Sequence, residues 1–102
     1  MKLYIYSLLF CPYSIKSESM LEPYDPQIIK VEQNEKNKYK KMNNMDTFPQ
    51  IFLVNEDTDH RIKIGGLDNT VELLSNIFNK KSINYSSSDA KELKKFFLNK
   101  NN

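Results

Sequence analysis

The residue with the most chemistry open to it is Cys11, the only cysteine in the chain. It stands in the run Phe10-Cys11-Pro12-Tyr13-Ser14. Before that run lies a short apolar, β-favouring stretch, Leu3-Tyr4-Ile5-Tyr6, and after it a segment able to form a helix. Pro12 suits the first position of that helix, where no backbone N–H is needed. Cys11 is therefore expected where a strand ends and a helix begins. The first N–H groups of a helix lack intrahelical partners and form the positive end of its dipole. A sulfur placed there is favoured as the thiolate, the form that attacks, and cysteines at such positions have pKa values of roughly 3.5–7.5 instead of ~8.5. A lone cysteine is more often a small buried hydrophobe. The proline and the strand–helix corner turn the reading toward a reactive thiol.

With one cysteine, no disulfide forms within the chain. If Cys11 exchanges disulfides, the resolving thiol comes from another molecule, and the abundant small thiol of cells is glutathione. A Cys–His pair needs the imidazole within hydrogen-bond reach of the sulfur. His60, the only histidine, falls in a polar turn that the expected fold points away from Cys11, so it is read as an ordinary surface residue. One Cys and one His do not fill a structural zinc tetrahedron, and no metal site is expected.

The elements that must position Cys11 follow from periodicity and breakers. A strand is expected over 3–6, a loop over 7–10, and a helix over 12–21 with Ile15, Met20 and Leu21 on its apolar side. Pro23 ends that helix. Tyr24-Asp25-Pro26 is a turn, and 28–31 a second strand completing a right-handed parallel βαβ unit. Asn34 reads as the N-cap of a helix to about 42, with Tyr39 and Met42 on its buried face and Asn43-Asn44 as its stop. Strands at 50–54 and 61–64 form a hairpin across a polar turn. Gly65-Gly66 break the second of these. Asp68 or Asn69 then caps a helix to about 78 whose stripe is Val71, Leu74 and Phe78, extended by Leu73 and Ile77. After a polar connector over 80–88, Asp89 and Glu92 read as a capping box. The last helix turns Leu93, Phe96 and Phe97 to the core, and 99–102 are expected to fray. The result is one α/β domain over 1–102 with the order β-α-β-α-β-β-α-α.

Composition narrows the function classes. Hydrophobic residues at 39% and charged residues at 27% suit a soluble globular domain. A net charge of +2 is too small to imply nucleic acid, and the run of lysines over 36–41 reads as the solvated face of a helix. No apolar run approaches the ~18 residues of a membrane span. The N-terminus shows no signal-peptide pattern, and one unpaired cysteine argues against a disulfide-built secreted domain. A reducing compartment, most simply the cytoplasm, is expected.

Cys11-Pro12-Tyr13-Ser14 resembles the glutaredoxin active site Cys-Pro-Tyr-Cys, with serine in place of the second cysteine. Thr47-Phe48-Pro49-Gln50-Ile51-Phe52 resembles that family's Thr-Val-Pro-Gln-Ile-Phe segment, and Ile64-Gly65-Gly66-Leu67-Asp68-Asn69 its Ile-Gly-Gly-Cys-Asp-Asp segment. The resemblance implies a thioredoxin-like fold, a four-stranded mixed sheet flanked by helices. It implies a monothiol glutaredoxin, a glutathione-dependent thiol-disulfide oxidoreductase acting on glutathionylated proteins or small disulfides, and expected to be a monomer. Cys11 would be the nucleophile, and Pro12 would stiffen the corner that Ser14 helps to orient. Tyr13 would border glutathione, and a cis Pro49 would face Cys11. The backbone of Phe48, after Thr47, would pair with the cysteinyl part of glutathione as in β-augmentation. The amides of Leu67 and Asp68, beside Gly66, would take a carboxylate, and the Asp68 side chain the α-ammonium. The sequence departs from the family at Leu8 and Asp46, where basic residues are usual, leaving Lys36, Lys38, Lys40 or Lys41 as substitutes. A second reading is a homodimer holding a [2Fe–2S] cluster with two Cys11 thiolates and two glutathiones. Pro12 stands where the cluster-binding relatives carry glycine, so that cofactor is not expected. A third reading is a redox-inactive thioredoxin-like adaptor.

Overall fold

Leu3-Tyr4-Ile5-Tyr6 and Ile51-Phe52-Leu53-Val54 contain no charged residue, as strands covered on both faces require. The computed structural model, which describes residues 1–99, makes them the two central strands of a four-stranded sheet. The elements are β1 (Lys2–Leu8), α1 (Pro12–Leu21), β2 (Gln27–Val31), α2 (Lys36–Asn43), β3 (Gln50–Asn55), β4 (His60–Gly65), α3 (Leu67–Phe78) and α4 (Ser87–Asn99). Single 3-10 turns, Glu22–Tyr24 and Gln33–Glu35, precede β2 and α2. The sheet order is β2-β1-β3-β4, with β2 parallel to β1 and the other neighbours antiparallel. This is the expected element order and a mixed sheet.

Alternation along the strands sorts side chains to two faces. Leu3, Ile5, Ile51, Leu53, Ile62 and Ile64 pack with Leu21 of α1, Leu73 and Ile77 of α3, and Leu93, Phe96 and Phe97 of α4. Tyr6, Val31, Phe52 and Val54 form the other face, covered by Tyr39 of α2 and by Met45. The Arg61 guanidinium lies 4.5 Å from the centre of the Phe52 ring and donates to the Tyr6 hydroxyl at 3.0 Å. Among the described residues, no helix is long and apolar enough to cross a membrane.

The helices correct several expectations, mostly about which side is buried. On α1, Ile15 is exposed, and the buried positions are Ser14, Ser17 and Leu21. On α2, Met42 is exposed and Asn43 takes the inward place. The box that opens this segment joins Glu32 and Glu35, so Asn34 is not the cap. On α3, Val71 and Phe78 face solvent, while Leu67, Thr70, Leu73 and Ile77 are buried. Thr70 tolerates burial because its hydroxyl donates to the Gly66 carbonyl at 2.8 Å. Gly66 is the N-cap of α3, and Asn69 accepts its N–H at 3.0 Å. At α4 the Ser86 hydroxyl accepts the Asp89 N–H at 3.2 Å. Asp89 therefore sits inside the first turn, where its carboxylate meets His60 at 2.8 Å. β1 also runs to Leu8, shortening the expected loop to Leu9 and Phe10. Asn99 ends α4, and the rest of the tail expected to fray, 100–102, lies outside the described residues.

Candidate active site

Cys11 sits at the hand-over from β1 to α1, and short hydrogen bonds fix that corner. The Cys11 N–H donates to the Leu8 carbonyl at 3.2 Å, closing a turn over Leu8-Leu9-Phe10-Cys11. The Leu9 N–H donates to Val31 at 2.9 Å, and the Gln33 amide donates to the Leu9 carbonyl at 2.7 Å. Cys11 is the N-cap of α1 in an extended conformation, with Pro12 next and no side-chain cap. The fully buried Ser14 hydroxyl turns back to accept the Leu8 N–H at 3.1 Å. One helical turn on, Glu18 ties α1 to the two strands beneath: Ser7 donates to its carboxylate, and Lys30 reaches both oxygens at 2.8 and 2.9 Å. Burial pushes the Glu18 carboxyl up, but the hydrogen bonds from Lys30 and Ser7 and the lysine charge outweigh it and hold the group below its ordinary value.

The segment before β3 brings a backbone edge to the thiol. The Phe48–Pro49 peptide is cis. The half-buried Cys11 places its Sγ 4.0 Å from the Phe48 carbonyl oxygen. Among the described residues the Phe48 N–H makes no hydrogen bond. Behind this edge a buried amide pair anchors the loop. Asn43 Nδ2 donates to Gln50 Oε1 at 2.8 Å, and Gln50 Nε2 donates to the Met45 carbonyl at 3.4 Å.

The third segment turns from β4 into α3. Gly65 has φ +117°, and a Cβ there would lie 2.6 Å from Asn69 Oδ1, so only glycine fits. Gly66 differs. Its backbone is ordinary, and an added Cβ would meet nothing closer than the Pro49 carbonyl at 3.7 Å. Nothing within the chain demands glycine at 66. As cap residue it has no side chain to offer the amides of Leu67 and Asp68, which open α3 and have no intrahelical acceptor.

These segments enclose a cleft of about 290 Å³ lined by Tyr13, Thr47, Phe48, Gly66, Leu67, Asp68 and Asn69. It brings together every residue singled out for glutathione except Pro49, which is buried behind it, and it adds Asn69. Tyr13 stands exposed at the rim, and Asp68 is exposed in the first turn of α3. Leu8 is packed against the Tyr6–Phe48 cluster, Asp46 is exposed, and none of Lys36, Lys38, Lys40 and Lys41 lines the cleft. His60 begins β4 opposite Asn55, at the end of the sheet away from Cys11. Wider clefts of about 470 and 530 Å³ flank the connector after α3, but neither contains a cysteine or histidine. Among the described residues no three His, Cys, Asp or Glu side chains converge to hold a metal ion. Sequence reasoning missed Gln33 and Asn43 and gave Gln50 no task. A glutamine opening an otherwise apolar strand was the one available sign that a buried amide partner existed.

No family model matches this sequence, and no curated protein matches it. Among solved structures, the crystal structure of glutaredoxin 1 from Francisella tularensis complexed with cacodylate superposes with a TM-score of 0.53 at 21% sequence identity. The match covers 76% of this chain and 96% of that one. Together with the strand order β2-β1-β3-β4 and helices on both faces, it establishes that this chain has the α/β thioredoxin-like fold.

Proposed function

We propose that the chain is a monothiol glutaredoxin, reducing glutathione mixed disulfides through Cys11 in a reducing compartment such as the cytoplasm, as a monomer. The observation that carries this reading is the approach of the only thiol to the Phe48 carbonyl, at the edge of a cleft rimmed by the α3 N-terminus. The Phe48 N–H and C=O offer a strand-like edge to the cysteinyl part of glutathione. The Leu67 and Asp68 amides and the helix dipole suit the carboxylate of its γ-glutamyl group, and the Asp68 side chain its α-ammonium. A backbone brought close to a ligand also explains a glycine at 66 that the chain itself does not need.

The Cys11 thiolate attacks the glutathione sulfur of a mixed disulfide. The old S–S bond breaks, a Cys11–glutathione disulfide forms, and the substrate thiolate leaves and takes up a proton. A second glutathione thiolate attacks the glutathione sulfur of that adduct, releasing glutathione disulfide and the Cys11 thiolate. One glutathione thiol is consumed per turnover; the other half of the glutathione disulfide arrives already oxidised in the substrate's mixed disulfide, and no second protein thiol is needed. Ser14 stands where dithiol relatives carry a resolving cysteine, but its oxygen is buried and committed to Leu8. A [2Fe–2S] cluster takes four ligands, and Cys11 is one, so a single chain does not hold such a group.

The test is turnover of a glutathionylated peptide with glutathione, with the adduct trapped and located by mass spectrometry. The expected result is a glutathione adduct on Cys11 and no turnover by Cys11→Ser. Turnover by Cys11→Ser, or wild-type turnover with no adduct on Cys11, removes this mechanism.

A further inference from the structure

We propose that Phe10 selects among disulfide substrates, favouring a glutathionylated protein segment whose cysteine is flanked by apolar residues. This rests on the exchange proposed at Cys11. Phe10 is the third residue of the turn that delivers Cys11, and its φ is +66°. The hydrogen bonds at Leu8, Leu9 and Cys11 impose that conformation from both sides. Glycine or asparagine suits such a position, because the Cβ of other residues crowds the backbone. Phenylalanine gains nothing from the chain in exchange: the residue is 85% exposed and belongs to neither apolar cluster. Local energetics thus oppose Phe10 twice, through its backbone and through its hydration. Strain of this kind gathers where a ligand is met.

The ring is not part of the cleft assigned to glutathione. Phe10 directly precedes the nucleophile in the chain and is exposed outside that cleft, so in the proposed exchange it is left to meet the thiol that leaves. Tyr13 and Ile15, 62% and 59% exposed, carry the apolar surface onto α1. No residue from 8 to 15 is charged, in a chain where 27% of residues are. An uncharged segment beside the nucleophile gives nothing to acidic or basic neighbours of the target cysteine and favours apolar ones, whose contact with the ring removes both from water.

The experiment compares two glutathionylated peptides of equal length, the cysteine flanked by leucines in one and by serines in the other. Wild type should prefer the leucine peptide by about tenfold in kcat/KM, the size expected for covering part of one aromatic ring. Phe10→Asn, which accepts the same left-handed backbone, should bring the ratio close to one, and Phe10→Tyr should keep it. A wild-type ratio near one, a ratio that survives Phe10→Asn, or one lost in Phe10→Tyr overturns the assignment and leaves the exchange at Cys11 standing. Failure of wild type to turn over either peptide overturns both.

Discussion

Replacing Ser14 by alanine tests how the Cys11 corner is held. The Ser14 hydroxyl is fully buried and accepts the Leu8 N–H at 3.1 Å. Alanine removes that acceptor and leaves the amide against a methyl group. An unpaired buried donor costs ~1–3 kcal/mol. The void left by one oxygen adds only a few tenths, and the better helix propensity of alanine returns up to ~0.5 kcal/mol. The expected net loss is about 1–3 kcal/mol. For a domain of this size, 1 kcal/mol moves Tm by roughly 4–8 °C, so a fall of roughly 4–24 °C is expected. Urea unfolding should show a lower midpoint at unchanged slope, because the native surface is the same. A loss below ~0.3 kcal/mol, within the range of ordinary surface substitutions, would show that the Leu8 amide finds another partner and that Ser14 does not pin the corner.

Glu18 gives a pH dependence. Its carboxyl titrates below the ordinary 4.5 in the folded chain, so its stabilising contribution is complete above that value and is lost as pH falls through the lower folded value. The urea midpoint of wild type should drop below that point more steeply than that of Glu18→Gln, and parallel curves would refute the linkage. Asp68→Ala should raise half-saturating glutathione about 10- to 100-fold, as losing a charge-assisted hydrogen bond does. Its Tm should fall by no more than roughly 1–8 °C, because a carboxylate at an exposed helix start contributes only ~0.3–1 kcal/mol. Steady-state kinetics beside melting curves separate the two, and unchanged half-saturation would remove Asp68 from the binding site. Leu8→Lys should raise kcat/KM for a glutathionylated substrate, with a gain that shrinks in high salt. No gain at any salt would assign the carboxylate contact to another lysine or to a different pose.

The fold was legible where the sequence is punctuated. Pro12 and Pro23 bracket α1, Gly65-Gly66 separate β4 from α3, and the apolar runs at 3–6 and 51–54 mark the central strands. The helix faces were less legible, because hydrophobicity does not reveal a polar group whose partner is already in place. Thr70 is buried with its hydroxyl on the Gly66 carbonyl, Ser17 with its hydroxyl on the Ser14 carbonyl at 2.7 Å, and Asn43 with its amide on Gln50. Each displaced an apolar neighbour, respectively Val71, Ile15 and Met42, that a periodic reading turns inward. Gln33 was invisible for another reason. Its partner is the Leu9 carbonyl, far back in the chain, and nothing local to Gln33 announces the turn it supports.

The candidate site was legible for a complementary reason: much of it is backbone. Phe48 shows this, since the family it resembles carries valine there. The Phe48 side chain is buried in the second cluster with Tyr6 and Phe52, and its carbonyl is the group that meets Cys11. A larger apolar residue at 48 changes the filling of the core and leaves the edge offered to a ligand in place. The same holds for Leu67, where the resembled segment has cysteine: its side chain is buried, and its amide starts α3 beside the cleft. Side-chain identity can therefore drift at both positions while the groups that would bind persist. What has to be kept is the conformation, held by Gly65 at φ +117°, by the buried Asn43–Gln50 pair, and by the Ser14 and Gln33 bonds at the corner. Substitutions at those four supports should damage the site more than volume-conserving substitutions of the buried Phe48 or Leu67 side chains.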